Sequence, residues 1–482
     1  MGQIKTNTFW SSLFAIAGYL FPLITYPYVS RVLGVSNIGI CGFVDSIINY
    51  FALFSSMGIA ILAVREVAAN RNDQKKLNNT FSSLFLLHIS VTFVVLLVLL
   101  PCIFFVPQFY EHFDLMMVGV VKLVTSVFII EWFYKGIEEF RYITIRSVVI
   151  RLIYVVLTFI FVRDQGDTFN YYLLTALASV LSALVNFVYV RKYVQFSFEH
   201  LTVGVYLMPF LILGMQRLLT SMYTTFNVSF LGFVANQEEV GYYVAATKLY
   251  SIIIALFSAF TSVMLPRMSS FLADGRDEEF RSFYKKSVDV LFLFAFPTIC
   301  FCSVFADQII WVIVGPGYEA SVPIMQIVMP LVFIIGYEQI LIVQVLMPMK
   351  KDKSVMMNAL TGAVVGLLFN CVLVPRWLGV GSAWVWICSE VAVLVVAQVH
   401  VTQYLGIKFP YKQLFKYLFM SVPIIAILMA LHAMNLEVWI SLPLAMTLTL
   451  GYYLCIECWV VKNQLTLDLL SQILFVLKSK IG

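Results

Sequence analysis

Ionisable side chains inside apolar segments are the residues of this sequence best suited to do chemistry. An ionised side chain in hydrocarbon costs roughly 2.5–3.5 kcal/mol on insertion scales, so each one needs a partner or water. Cations held in such segments predict an anion site, whereas buried carboxyl groups predict exchange of a proton or binding of a cation. The cations within or at the ends of the apolar segments are Arg31, Lys122, Arg217 and Lys248.

Arg217 begins a polar stripe in one of these segments. Ser221, Thr224 and Thr225 follow it at the three- and four-residue spacing that places side chains on one helix face. The stripe predicts a surface that faces protein or water rather than lipid, and we interpret it as an anion site. The alternative, which the spacing leaves open, is that each cation pairs with a carboxylate in the membrane.

Carboxyl groups in the apolar segments are candidates for binding and releasing an ion. Asp45 and Asn49 share one face of a helix, and Glu338 and Glu390 lie in two later segments. A buried carboxyl group can exchange a proton or bind a cation. The alternative is that each of these carboxylates neutralises a buried Lys or Arg.

Three further ionisable residues have simpler interpretations. Glu131 and Glu457 stand near the predicted ends of helices, where we expect their carboxylates to reach water. His88 lies within an apolar segment and could titrate near neutral pH. We expect it instead to be a structural histidine whose ring nitrogens are hydrogen-bonded.

The composition indicates which elements must position these side chains. The chain has 482 residues, of which 61% are hydrophobic and 12% charged, and its mean hydropathy is +0.92. A soluble domain has roughly 25% charged residues, so the bilayer is the natural solvent for this chain. Because about 20 apolar residues cross a bilayer as a helix, the sequence predicts an all-α integral membrane protein of about fourteen transmembrane helices. The predicted spans are 9–30, 38–62, 81–105, 115–135, 147–162, 169–190, 207–232, 241–265, 287–306, 322–346, 355–374, 380–402, 415–433 and 438–461.

The distribution of basic residues predicts the orientation of these spans. If the N-terminus is cytoplasmic and the spans alternate, 25 of the 31 Lys and Arg residues fall in cytoplasmic segments. The opposite loops then hold only Arg163 and Arg376. Since cytoplasmic loops of membrane proteins carry the excess of Lys and Arg, we predict that both termini are cytoplasmic. The stretch 463–482 has helical spacing of apolar residues and either lies on the inner membrane surface or is a short frayed tail.

A short internal repeat predicts the organisation of the helices. Gly39 and Arg65 recur as Gly241 and Arg267, both at an offset of 202 residues, although a chance match over so few positions remains an alternative. Because each repeat holds six helices, an even number, both halves enter the membrane from the same side, as in transporters with parallel repeats. The predicted domains are two six-helix bundles, 1–198 and 199–405, followed by two extra transmembrane helices with a cytoplasmic tail in 406–482.

Several motifs of enzymes and metal sites are absent from the sequence. It has no GxxxxGK[ST] phosphate loop and no HExxH, and no loop holds a Ser/His/Asp or paired-carboxylate site. The eight cysteines read as small buried hydrophobes, and the pair Cys455 and Cys458 has no second Cys or His pair nearby. We therefore predict no catalytic residues, no metal, no cofactor and no nucleic-acid partner, and favour a secondary transporter over an enzyme or an ATP-driven pump.

Five motifs resemble a known transporter family. Each motif alone is a weak signal of the family. Their order and spacing over most of the chain are together much more specific. They are Tyr28 to Gly34 running to Ile38-Gly39, Arg65 to Arg71, Trp132 to Phe140, Val240 to Lys248, and Gly315 to Ala320. In these the chain resembles the Wzx-type O-antigen repeat-unit flippases, the polysaccharide transporters of the MOP superfamily.

The resemblance implies a function in polysaccharide and lipopolysaccharide O-antigen biosynthesis. Such proteins move an undecaprenyl-pyrophosphate-linked oligosaccharide across the bacterial inner (cytoplasmic) membrane by alternating access between two six-helix bundles, with antiport of H⁺ or Na⁺ as the implied drive. A cationic central cavity is typical of the family, and it matches the predicted anion site. Only Arg31 and Lys248 lie inside motifs that resemble the family's, so the other site residues rest on burial and spacing.

The sequence predicts one set of site residues and leaves three alternative functions open. Lipid-linked oligosaccharide and membrane lipid are the predicted partners, with a polysaccharide polymerase or glycosyltransferase as further protein partners. The rivals are a MATE-type multidrug or cation antiporter, a lipid II flippase, and a membrane glycosyltransferase or polymerase. The predicted substrate-binding residues are Arg31, Lys122, Arg217, Lys248, Ser221 and Thr224, and the predicted ion-coupling residues are Asp45, Asn49, Glu338 and Glu390.

Overall fold

The computed structural model describes residues 2–197 and 201–461, and within these residues all regular structure is helical. The predicted surface helix or tail in 463–482 therefore lies outside the described residues. Within the described residues, twelve helical stretches, some of which join consecutive helices, are long and apolar enough to cross a membrane. The helices are α1 (Gly2–Ser56), α2 (Ile59–Asn70), α3 (Gln74–Phe105), α4 (Pro107–Glu111), α5 (Phe113–Phe128), α6 (Glu131–Gly136), α7 (Phe140–Phe161), α8 (Thr168–Val190), α9 (Val203–Thr224), α10 (Phe226–Val234), α11 (Gln237–Ala273), α12 (Asp277–Val304), α13 (Ala306–Ile313), α14 (Ser321–Val328), α15 (Leu331–Gln339), α16 (Asp352–Leu405), α17 (Tyr411–Ala433) and α18 (Val438–Ile456).

The two longest helices each contain a backbone break. A straight helix of 55 residues such as α1 would be about 80 Å long, whereas the hydrocarbon core of a bilayer is about 30 Å thick. Gly34 interrupts α1 with φ 77° and ψ 174°, and Leu378 interrupts α16 with φ 49° and ψ −124°. The breaks fall between the spans predicted on either side of them. If each of these helices crosses twice, the number of spans is the predicted fourteen, and that count stays a prediction.

The chain forms two compact units. Unit 1 comprises Met1–Ala245, Ile313–Tyr318 and Gly362–Trp386, and unit 2 comprises Ala246–Val312, Glu319–Thr361 and the described residues from Ile387 onward. These units differ in their boundaries from the predicted domains. The predicted repeat of two six-helix bundles stays a prediction.

Aromatic residues fill the core of unit 1 where α2, α3 and α6 pack. The rings of Phe81 and Phe133 are 5.1 Å apart, and those of Phe81 and Trp132 are 5.5 Å apart. All three side chains are buried. The short helix α6 thus anchors its two aromatic residues in the core, and this fixes the position of the neighbouring Glu131 and Lys135.

Unit 2 has its own aromatic core, formed by α12, α15 and α17. The ring of Phe292 lies 4.9 Å from that of Tyr417 and 5.0 Å from that of Phe333. Next to this core, the structure contradicts the expectation that Glu457 reaches water. The chain continues past Ile456 as a π-helical turn, Glu457 is fully buried, and its carboxylate accepts a hydrogen bond from the Tyr417 hydroxyl.

Candidate functional site

A cavity of about 430 Å³, with a lining that is partly polar, lies in unit 1 between α1 and the end of α9. The helical repeat of α9 brings Arg217, Ser221 and Thr224 to one wall, as the stripe in the sequence indicates. The opposite wall comes from the second half of α1 and mixes polar with apolar side chains. Its lining comprises Asn49, Tyr50, Ala52, Leu53, Ser56, Arg217, Thr220, Ser221, Thr224 and Thr225.

Arg217 is the cation of this cavity. Its side chain is exposed, and no ion pair or hydrogen bond joins its guanidinium group to any residue in the part of the chain that the structure describes. The charge is therefore available to an anion that enters the cavity. Arginine presents up to five N–H donors in a planar fork, a geometry that suits carboxylate and phosphate oxygens.

The hydroxyl groups of α9 have a defined orientation. Ser221 donates to the carbonyl of Leu218 at 2.7 Å, and Thr224 donates to the carbonyl of Thr220 at 3.0 Å. Because their protons are engaged by the helix, the hydroxyl oxygens present lone pairs to the cavity. Tyr50 of α1 donates to the carbonyl of Ser221 at 2.7 Å and ties the two walls together. The cavity thus offers one cation and several hydrogen-bond acceptors.

Lys122 and Asp45 form an ion pair elsewhere in unit 1. Lys122 on α5 donates directly to a carboxylate oxygen of Asp45 on α1. The Tyr172 hydroxyl on α8 donates to the same carboxylate at 3.4 Å, and its ring centroid lies 4.6 Å from the Lys122 Nζ. Asn49 donates to the other oxygen at 3.2 Å. The sequence left open whether each cation pairs with a carboxylate, and in the structure Lys122 and Asp45 do form such a pair. The predicted roles of Lys122 in substrate binding and of Asp45 in ion coupling stay predictions.

The remaining two predicted cations lie in different units. Arg31, in unit 1, donates from Nη1 to the carbonyl of Pro27 at 2.9 Å, close to the break in α1 at Gly34. Lys248 lies on α11 in unit 2 and is half-buried. Their roles as substrate-binding residues stay predictions.

The two predicted carboxylates of unit 2 are close together. Glu338 on α15 and Glu390 on α16 are hydrogen-bonded to each other through their side chains. Glu390 is only 3% exposed, and the buried Tyr250 of α11 lies near both carboxyl groups. A hydrogen bond between two carboxyl groups needs a proton on one of them, because two carboxylates are acceptors only. The pair can therefore hold a proton.

The structure departs from two of the simpler interpretations of ionisable residues. His88 is 3% exposed, and within residues 2–197 and 201–461 neither of its ring nitrogens has a hydrogen-bond partner, so it is buried but not satisfied. Glu131 is not simply hydrated, since its carboxylate accepts from Arg146 at 2.7 Å and contacts Lys135 at 3.5 Å.

Sequence reasoning missed the basic residues around Glu131. The predicted span began at residue 147, which left Arg146 in a cytoplasmic loop, whereas α7 begins at Phe140 and carries both Arg146 and Arg151. The apolar residues Ile145, Val149 and Leu152 already follow the four- and three-residue spacing of a helix. Extending the span backward along that pattern would have placed Arg146 on a helix.

Two protein families match the sequence. The family described as "Polysaccharide biosynthesis protein" matches residues 4–272, and the MatE family matches residues 213–372. Two similar proteins are both named "Putative O-antigen transporter". The one from Escherichia coli (strain K12) is 25% identical over 80% of this chain and 94% of its own. The one from Shigella dysenteriae is 24% identical over 77% of this chain and 93% of its own.

Solved structures share the fold of the chain. The lipid II flippase MurJ in an inward closed conformation aligns with a TM-score of 0.73 and 14% identity, over 92% of this chain and 98% of its own. An outward-facing multidrug resistance transporter of the MATE family, of the MOP superfamily, aligns with a TM-score of 0.57 and 12% identity, over 82% and 93%. The chain shares the fold of these two proteins and, because the first family matches more than half of its residues, it belongs to the polysaccharide biosynthesis protein family.

Proposed function

We propose that this multi-pass membrane protein is a flippase that moves a lipid-linked oligosaccharide across the bacterial inner membrane, with both of its termini in the cytoplasm. The observation that carries the proposal is the cavity of unit 1, in which the unpaired Arg217 stands among hydroxyl groups. Membership of the polysaccharide biosynthesis protein family and similarity to two proteins named as O-antigen transporters support the choice of cargo.

The cavity suits the polar part of such a cargo. Arg217 would bind an anionic group, either the pyrophosphate or an acidic sugar. The oxygens of Ser221 and Thr224 would accept hydrogen bonds from sugar hydroxyls, because their own protons are engaged by carbonyl groups of α9. The isoprenoid part would stay in the lipid, where it loses no hydrophobic stabilisation.

The carboxyl pair of Glu338 and Glu390 is the best candidate for the coupling site. A pair that holds a proton can release it when alternating access exposes it to the other side of the membrane, so inward movement of H⁺ would drive outward movement of cargo. Asp45 is a weaker candidate because Lys122 already neutralises it. Sodium in place of a proton is the alternative drive.

The fold favours one second candidate function. The higher of the two TM-scores given above belongs to a lipid II flippase. The MATE-type antiporter has less support, because Arg217 gives the cavity of unit 1 a positive charge, which repels organic cations. A polysaccharide polymerase or glycosyltransferase remains the proposed protein partner, and genes for such enzymes next to this one would support it.

Complementation tests the proposal directly. In a bacterial strain that lacks its O-antigen flippase, expression of this protein should restore surface glycan when the matching sugar genes are present. Arg217→Gln should lose most of this restoration, whereas Arg217→Lys should retain part of it. A wild-type chain that reaches the membrane but restores no glycan, and instead rescues a strain that lacks its lipid II flippase, would replace the proposal with the second candidate.

A further inference from the structure

Three cations surround one carboxylate where α1, α6 and α7 of unit 1 meet. Glu131 accepts a hydrogen bond from Arg146 Nη2 at 2.7 Å, and its other oxygen lies 3.5 Å from Lys135 Nζ. Arg151 interacts electrostatically with the same two charged groups, Glu131 and Arg146. Lys135 and Arg151 also both lie over the ring of Phe14, each 5.6 Å from its centroid. The cluster therefore has an excess of two positive charges.

The guanidinium groups of this cluster are not fully hydrogen-bonded. The Arg146 side chain is only 5% exposed, yet its Nε and Nη1 atoms have no partner within residues 2–197 and 201–461, and neither has the buried Nη1 of Arg151. A buried donor without a partner costs about 1–3 kcal/mol, and more when it is charged. One explanation for such groups in a native structure is a bound water or ion.

The cluster lies near the end of α6 and beside an exposed apolar surface of α7. Glu131 is five residues from the end of α6 at Gly136, or about 7.5 Å along a helix. Side chains on a helix lean toward its N-terminal end, so that of Arg151 is directed toward the start of α7, where Arg146 lies. On α7, Ile145, Val149 and Leu152 are each at least 45% exposed and form an apolar stripe at helical spacing.

We infer that this cluster binds the phosphate group of a membrane lipid. Phosphate oxygens match the fork of N–H donors on arginine, and a phosphate charge of −1 to −2 balances the excess of the cluster. The stripe of Ile145, Val149 and Leu152 supplies a surface for the acyl or isoprenoid chain of the same molecule. Basic pockets between transmembrane helices recognise lipid headgroups in this way. The site is separate from the cavity at Arg217, and it does not depend on the proposed function.

Lipid-dependent thermal stabilisation of the full chain in neutral detergent tests this inference. Phosphatidylglycerol or undecaprenyl diphosphate should raise the midpoint of unfolding in a saturable way, and phosphatidylcholine should not. Arg151→Gln should weaken the apparent affinity roughly tenfold or more, the factor expected when one charge-assisted hydrogen bond is lost. Whichever of the two lipids binds more tightly identifies the source of the phosphate.

Two control variants separate a specific site from general attraction between charges. Arg141→Gln removes an exposed cation from the first turn of the same helix, and it should leave the affinity unchanged. Arg151→Lys keeps the charge and should recover part of the affinity. Equal losses in Arg141→Gln and Arg151→Gln would overturn the inference, and so would an equal stabilisation by inorganic pyrophosphate without lipid.

Discussion

Two pairs of residues show different ways of keeping a carboxyl group inside a membrane protein. In unit 1, Asp45 is neutralised by Lys122, with Tyr172 and Asn49 completing its hydrogen bonds. In unit 2, Glu338 is hydrogen-bonded to Glu390, and a proton on one of the two carboxyl groups would take the place of the cation. The first carboxylate is neutralised by a cation of the protein, whereas the second pair would change charge if it released a proton. The mode of neutralisation therefore separates a structural carboxylate from a candidate for coupling.

Removing the carboxylate of the ion pair should have the largest effect on stability. Asp45→Asn leaves the Lys122 ammonium group without its counter-ion, so we expect a loss of about 2 kcal/mol. This is less than the roughly 3–5 kcal/mol for a fully buried pair, because Asp45 is 41% exposed. Denaturant titration of the purified protein in detergent measures the difference. The double variant with Lys122→Met should recover more than half of it, and an unchanged loss in that variant would contradict the role of the pair.

Removing the protonatable pair should affect transport rather than stability. The double variant Glu338→Gln with Glu390→Gln keeps the hydrogen-bonding shape but can no longer release a proton. In proteoliposomes, we expect acceleration of cargo transport by a pH gradient to fall roughly tenfold, within the range typical of coupling between sites. Asp45→Asn, combined with Lys122→Met for stability, is the matched control and should keep the response. If instead the control loses the response and the glutamine variant keeps it, the assignment of the two pairs is reversed.

The sequence predicts features that depend on neighbouring residues along the chain. Hydropathy and helix length indicate the spans, because each crossing depends on about 20 consecutive residues. The polar stripe from Arg217 to Thr224 is equally local, since one helix turn after another fixes its face. The structure is helical as predicted and its stripe lines one cavity, whereas the number of fourteen spans stays a prediction.

Features that depend on packing between distant helices could not be predicted in the same way. The charges of Lys122 and Asp45 are visible in the sequence, but their pairing joins residues 77 positions apart. Nothing local indicates that Glu338 meets Glu390. Glu457 is a further example. It was expected to be exposed at a helix end, but the chain continues as a π-helical turn and its carboxylate accepts a hydrogen bond from the Tyr417 hydroxyl.

A single substitution in the carboxyl pair should be nearly silent in stability. Glu390→Gln leaves Glu338 with a neutral hydrogen-bond donor in place of a protonated carboxyl group. We therefore expect a change within about 1 kcal/mol, the net contribution of one hydrogen bond. Denaturant titration alongside Asp45→Asn gives the comparison. If Glu390→Gln lowers the free energy of unfolding as much as Asp45→Asn does, Glu390 is ionised and forms an ion pair with a cation.

Asp73 is a carboxylate outside the membrane-spanning helices, with which Asp45 can be compared. Its substitution should change stability least among the variants described here. It caps α3 by accepting from the backbone N–H groups of Lys75 and Lys76 at 3.1 and 3.2 Å, and chiefly the latter bond lowers its pKa below the ordinary 3.8. A lowered pKa in the folded state means that the contribution to stability is present above pH 3.8 and is lost as the pH falls through the folded pKa. Asp73→Ala should therefore lower the midpoint of thermal unfolding slightly at pH 7, and the difference from wild type should shrink below pH 3.8. The Asp45→Asn difference depends on burial and a counter-ion, so it should exceed that of Asp73→Ala at pH 7, and the opposite order would show that helix capping outweighs neutralisation in the membrane.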